Sequence, residues 1–246
     1  VKLLTWPPSV KSPYAAVIDV LGDPGELKVE MESILSEFGF SSKFKPAVQR
    51  EADLINEPNY NIEAKKRKDL RGVLTFTIDP HDAKDFDDAL SYRVLKNGNL
   101  EVGVHIADVS HFILPNSELD KEAYLRGNSI YLVDRVVPML PEKLSNKLCS
   151  LRPNEDKLTF SALFEIDNKC EILNQWFGKT VIHSDYRFTY EQAQEIIEGK
   201  AHEIEKEIKH LDKIAKQKRQ ERLSEGALNI ESQEVKFKLD DQGNPI

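Results

Sequence analysis

The residues with the most chemistry to offer stand in one stretch, Asp79-Pro80-His81-Asp82-Ala83-Lys84-Asp85-Phe86-Asp87-Asp88. Five aspartates within ten residues repel one another strongly. Such a loop either splays into water or is neutralised by a divalent cation. An EF-hand-type calcium loop wants acids at alternate positions and a glycine at the sixth. Counted from Asp79, those places hold His81, Ala83 and Lys84, so the pattern fails. Zinc wants His or Cys ligands, and only His81 is adjacent. All-oxygen donors without a calcium-style loop favour Mg²⁺ or Mn²⁺. Two such ions about 3.5–4 Å apart are a standard means of cleaving a phosphodiester. The Asp85-Phe86-Asp87 element alone is weak, whereas the full spacing D-x5-D-x-D-D is much more specific. On spacing alone the solvated acidic loop stays open beside the metal site. So does another Mg²⁺ enzyme using DxD, such as a nucleotide-sugar transferase, although no Gly-rich nucleotide fingerprint accompanies it.

The elements that must position this loop are strand-rich. Gly72–Asp79 is predicted as a strand ended by Pro80. Ala89–Leu95 and Leu100–Ala107 alternate around Lys96-Asn97-Gly98-Asn99, a hairpin signal. Leu119–Arg126 reads as a helix, Ser129–Val133 as a strand and Pro141–Leu151 as a helix opened by proline. Leu158–Ile166 and Ile172–Ile182 read as a second hairpin. Thr189–Glu198 and Ala201–Ser224 read as helices, and Val235–Leu239 as a last strand. Before the loop, Ser12–Leu21 reads as a strand, Gly22-Asp23-Pro24-Gly25 as a turn and Glu30–Phe38 as a helix. Residues 41–70 read as a polar connector containing a short helix. The expected architecture is α+β: a mixed, largely antiparallel sheet with packed helices over 71–246, preceded by a separate module over 1–40.

The 246 residues are 40% hydrophobic and 31% charged, which argues against wholesale disorder. No apolar run approaches the roughly 18 residues of a membrane span, and the first residues lack the apolar core of a signal peptide. Cys149 and Cys170 stand apart, neither a CxxC pair nor a disulfide framework, which fits a reducing cytoplasm. The net charge of −8 makes a nucleic-acid partner look unpromising. Net charge is a weak witness, because a carboxylate metal site makes a chain acidic while a basic groove elsewhere still holds phosphate. Lys200–Arg222 carries eight Lys/Arg against five Asp/Glu, read as a solvated helix with i,i+4 pairs.

Three blocks resemble the ribonuclease II / ribonuclease R family, most of all its bacterial ribonuclease R branch. The first is Thr77 through Ala89. The second is Val102-Gly103-Val104-His105-Ile106-Ala107-Asp108-Val109-Ser110-His111. The third is Val133–Pro141, continuing through Leu148-Cys149-Ser150-Leu151-Arg152-Pro153-Asn154-Glu155-Asp156. The resemblance spans roughly residues 65–246, and residues 1–40 look like the tail of an OB-type cold-shock domain with its exit helix. It implies a processive 3′→5′ exoribonuclease that hydrolyses single-stranded RNA to 5′-mononucleotides with Mg²⁺, which Mn²⁺ can replace.

The same resemblance places the family's four acids on Asp79, Asp85, Asp87 and Asp88. It makes Asp79 and Asp88 direct metal ligands, Asp85 a supporting residue, and Asp87 a contact to the second metal or its nucleophilic water. It puts a base-stacking aromatic at Tyr131, a ribose-reading tyrosine at Tyr190, and phosphate or loop-bracing contacts at Arg152 and Asn154. Asp82 and His81 read as solvated, His105 and His111 as structural, and Cys149 as core. A later catalytic arginine and an S1 domain fall outside these residues, so a weak or inactive fragment is expected. The implied protein is a cytoplasmic monomer with no membrane segment and no small-molecule cofactor. A nucleic-acid-binding module without catalysis is the rival reading.

Overall fold

A computed structural model describes residues 1–230 and 240. They form two compact units, one holding residues 1–45 and 129–137, the other 46–128 and the chain from Pro138 onward to 230. In the first unit, β1 (Lys2–Thr5) pairs antiparallel with β2 (Tyr14–Ala16), and α1 (Leu27–Glu37) follows, burying Val29 and Leu35. The strand expected over Ser12–Leu21 is therefore only three residues long. Its ladder is limited by the reach of β1, and Val17 and Ile18 lie exposed.

In the second unit the connector contains two helices rather than one. These are α2 (Pro46–Leu54) and α3 (Tyr60–Glu63), the latter capped by the Asn59 side chain, which accepts from the Asn61 and Ile62 amides. Strands β3 (Lys68–Asp69), β4 (Leu74–Asp79), β5 (Asp88–Val94) and β6 (Leu100–Ala107) come next. The β5–β6 turn is held by Asn97, whose Oδ1 accepts from the Asn99 amide, and by Gly98 at φ +87°. Helix α4 (Glu118–Arg126) is capped by Ser117. The first unit then gains β7 (Ile130–Tyr131) and β8 (Val136–Val137), a two-residue ladder where a five-residue strand was expected.

Back in the second unit, the helix expected over Pro141–Leu151 is a π-helical turn, Leu144–Leu148, in which the Cys149 amide reaches back to the Leu144 carbonyl. The long strands β9 (Glu155–Ile166) and β10 (Ile172–Ser184) form the second hairpin as expected. They are followed by β11 (Tyr186–Thr189), α5 (Tyr190–Ile197) and α6 (Glu205–Ser224). Thr189 and Gln192 close α5 with a reciprocal capping box. The helix expected from Ala201 starts later. The His202 ring instead packs edge-on against Tyr186 and Phe188, and its Nδ1 accepts from the Ile204 amide. The strand expected at Val235–Leu239 lies outside the described residues.

The main sheet runs β11-β4-β5-β6-β9-β10-β3. Its outermost pairs, β11 with β4 and β3 with β10, are parallel, and the other four are antiparallel. The mixed, largely antiparallel α+β architecture is thus present. One face is apolar: Phe76 and Phe188 pack with Ala193, Ile196, Ile204 and Ile208 of the α5–α6 segment, and Ile214 packs with Val102 and Ile166. The other face is small and polar. Thr75, Thr77, Ser91, His105, Thr159, Ser161 and Thr180 are all fully buried there. His105 Nδ1 and Ser161 Oγ lie 2.6 Å apart, and Ser161 continues to Thr180 Oγ1 at 2.5 Å. Gly103 is required in this layer, since a Cβ there would stand 2.3 Å from Ser91 Oγ and 2.7 Å from His105 Nε2. Burial drives the His105 pKa down to about 4, so the imidazole is neutral and structural, as expected. Among the described residues no helix is long and apolar enough to cross a membrane.

Candidate metal centre

The acidic loop joins two paired strands at one end of the sheet. Asp79 is the last residue of β4 and Asp88 the first of β5, and these strands are antiparallel neighbours through Leu74–Tyr92 and Phe76–Leu90. The loop is therefore the turn of a wide hairpin, and its acids are brought together by strand pairing rather than by a helix face.

The backbone of this turn is fixed from four directions. Arg187 on β11 donates from Nη2 to the carbonyls of Pro80 (2.6 Å) and His81 (2.9 Å). Its guanidinium also covers the Phe86 ring at 5.5 Å. Ser150 Oγ donates to the Lys84 carbonyl (2.8 Å) and accepts from the Phe86 amide (3.0 Å). The Leu151 amide donates to the Phe86 carbonyl, and the Ala107 amide to that of Asp87. Phe86 itself is buried, anchoring the middle of the loop in the core.

The side chains behave differently from the backbone. Asp79 is buried, and its Oδ2 has no hydrogen-bond partner. Lost hydration, then the charges of Asp88 and Asp85, push its pKa up, against the Thr77 hydroxyl and the charge of Arg187. Asp87 is raised too, by lost hydration and by Asp85, Asp88 and Asp79 in turn. The acids thus act as one coupled field of negative charge held on a rigid turn.

Among the described residues no group of three His, Cys, Asp or Glu side chains stands where it could hold a metal ion. Mg²⁺ keeps several waters and takes one or two carboxylates plus phosphate oxygens, so the test of fit falls on the individual carboxylates. The orphaned Asp79 Oδ2 and the mutual repulsion of the acids are what a hard cation would relieve, so the residues present fit such an ion.

The other predicted residues fall as follows. Tyr190 is exposed at the start of α5, one residue beyond Thr189, which is in register with Asp79. Tyr131 belongs to the first unit, exposed on its two-residue ladder and so not a core residue. Arg152 is paired with Glu155 at 3.4 Å. Asn154 takes φ +62° while its amide donates to the Ser184 carbonyl, so its backbone serves a turn. His81 and Asp82 are exposed. Cys149 is buried, which pushes its thiol up to about 12. His111 approaches Arg67 Nη2 with its Nδ1 at 3.2 Å, a structural role. Sequence reasoning missed Arg187 and the loop-facing role of Ser150. The only signal for Arg187 was a four-residue strand that reads as the lead-in to α5.

The RNB domain family matches residues 67–246, and the cold shock domain family matches residues 1–45. The chain is 40% identical over its whole length to DIS3-like exonuclease 2 of Schizosaccharomyces pombe, covering 28% of that protein. It is also 40% identical to ribonuclease R of Thermotoga maritima, covering 100% of this chain and 36% of the relative. Among solved structures, Mycoplasma genitalium RNase R in complex with double-stranded RNA superposes with a TM-score of 0.91 at 27% identity. That match covers 99% of this chain and 44% of the other. The chain thus spans about a quarter to two-fifths of the curated relatives it matches.

Proposed function

The chain belongs to the RNB domain family, ribonuclease R included, and from that premise we propose that it carries the metal-binding part of a 3′→5′ exoribonuclease. The substrate is single-stranded RNA and the products are 5′-mononucleotides. The observation that carries this reading is the pinned turn with four acids, two of which, Asp79 and Asp87, are raised above their ordinary carboxylate values by lost hydration and then by neighbouring acids.

Asp79 and Asp88 are the residues that would hold Mg²⁺ or Mn²⁺, with Asp85 in support. Bound there, the ion would supply charge neutralisation for the scissile phosphate and a lowered pKa for attacking water. Asp87 would contact a second ion or the attacking water. The backbone clamps keep the carboxylates at fixed spacing, so little reorganisation is needed when phosphate arrives. Tyr131 offers an exposed ring for stacking on a base, and sequence-independent stacking is worth roughly 1–3 kcal/mol per base. Tyr190 stands at the rim of the acid-bearing end of the sheet, where a ribose could be read. Arg152 and Asn154 would contact phosphate or brace the metal loop, and the enzyme would work as a cytoplasmic monomer.

The test is the purified full-length protein on a 5′-labelled single-stranded RNA, with Mg²⁺ and then with excess EDTA. Stepwise shortening from the 3′ end to mononucleotides, abolished by EDTA, is expected. Metal-independent cutting, internal cuts, or binding without hydrolysis would overturn the reading; the last would make the chain a non-catalytic RNA-binding module.

A further inference from the structure

We propose that Arg187 and Ser150 are positioning residues for the metal centre, holding the carbonyls of Pro80, His81 and Lys84 and the amide of Phe86 so that the turn keeps the shape from which its acids take up an ion. This rests on the metal reading above and adds which residues outside the acidic run make it work.

The geometry is specific. A single Arg187 nitrogen, Nη2, serves two successive carbonyls at the start of the turn, which only a backbone bent toward β11 can present. Ser150 does the converse farther along, donating to one main-chain group and accepting from another two residues on. Between them they fix both halves of the stretch that separates Asp79 from Asp87. The neutral Ser150 contributes no charge to the site, so its effect can come only through shape. Arg187 places a cation near Asp79, and its two possible roles predict opposite results. As a charge it competes with a bound cation, so its removal would tighten metal binding. As a clamp it preorganises the ligands, so its removal weakens binding; loss of an outer-layer partner typically costs 10–100-fold in metal affinity, by order of magnitude.

Mn²⁺ binding to the chain, read by electron paramagnetic resonance, separates these. Arg187→Gln and Ser150→Ala are each expected to weaken Mn²⁺ about 10-fold or more, with the thermal transition retained. Arg187→Lys, which keeps the charge with a single ammonium donor group, is expected to fall between wild type and Arg187→Gln. Hydrogen exchange without metal gives an independent readout. The Phe86 amide in Ser150→Ala, and the Ala83 amide, which donates to Pro80, in Arg187→Gln, should exchange about 10-fold faster. If Arg187→Gln unfolds the chain, Ser150→Ala and Arg187→Lys carry the test. Tighter or unchanged Mn²⁺ binding in the folded variants would overturn the proposal, as would unchanged exchange. A wild-type chain that binds no Mn²⁺ would instead overturn the metal reading, and the exchange rates would still decide whether the two residues hold the loop.

Discussion

Two charged clusters in the second unit are built from the same residue types and behave in opposite ways. In one, Asp108 is buried against Arg67 (2.6 Å), Lys179 (3.2 Å) and the Ser110 hydroxyl (2.8 Å), and Arg67 also meets Glu63. Burial pushes the Asp108 pKa up, but the bonds to Arg67 and Ser110 outweigh it and leave the carboxyl below its ordinary range. In the other, Asp79 and Asp87 are pushed above that range by lost hydration and by neighbouring carboxylates. Asp108 spends its charge inside the fold, tying the connector to the sheet. The acidic turn has its backbone held by Arg187, Ser150, Leu151 and Ala107 while the Asp79 Oδ2 stays without a hydrogen-bond partner. Crowded carboxylates on a backbone held in this way are the arrangement expected of a cation site.

The comparison can be broken most sharply by removing one acid from each cluster. Asp87→Asn in the full-length protein should lower kcat by about 10³-fold or more while RNA binding persists, because phosphate attraction comes from other residues. Single-turnover kinetics beside a filter-binding assay would show it, and near-normal turnover would remove Asp87 from water activation. Asp108→Asn should act on stability: breaking a buried pair from one side costs about 3–5 kcal/mol, read in urea denaturation. Asp79→Asn should do the reverse in the metal-free protein and raise stability, since it removes a charge that burial and its neighbours disfavour. If Asp79→Asn proves as destabilising as Asp108→Asn, the distinction between the two clusters fails.

A smaller effect comes from the polar layer beneath the loop. The folded pKa of His105 is lowered to about 4 from 6.5, so the folded state binds fewer protons than the unfolded chain between those values. Its contribution is fully present above about pH 6.5 and is lost as pH falls through about 4, up to about 3 kcal/mol. Asp108 adds loss in the same direction, but only at more acid pH, because its folded pKa is depressed. Urea midpoints of wild type and His105→Gln between pH 7 and 4.5 would check this. The variant's profile should be the flatter one; parallel profiles would mean that His105 titrates alike in the folded and unfolded states and that burial does not hold it neutral.

The acids themselves were legible because their spacing is local, and so were the two hairpins, through their alternation and, in the first, an Asn-Gly turn. Arg187 was not legible because its role depends on β11 lying parallel to β4, a pairing between segments more than a hundred residues apart. Ser150 sits after a π-helical turn that apolar spacing alone cannot tell from an α-helix. The run Ala15–Ile18 is the apolar centre of the strand read over Ser12–Leu21, yet Val17 and Ile18 are exposed, because periodicity reports apolar content and not the presence of a partner. The positive φ of Asn154 was not legible either, because the turn it serves is closed by its amide to the Ser184 carbonyl, thirty residues on.

The most direct measurement of the central claim is anomalous diffraction at the manganese edge from crystals soaked in Mn²⁺. A peak about 2.0–2.3 Å from carboxylate oxygens of Asp79 and Asp88 is the predicted result. A well-diffracting soaked crystal with no peak at this turn, or with manganese only elsewhere, would contradict it.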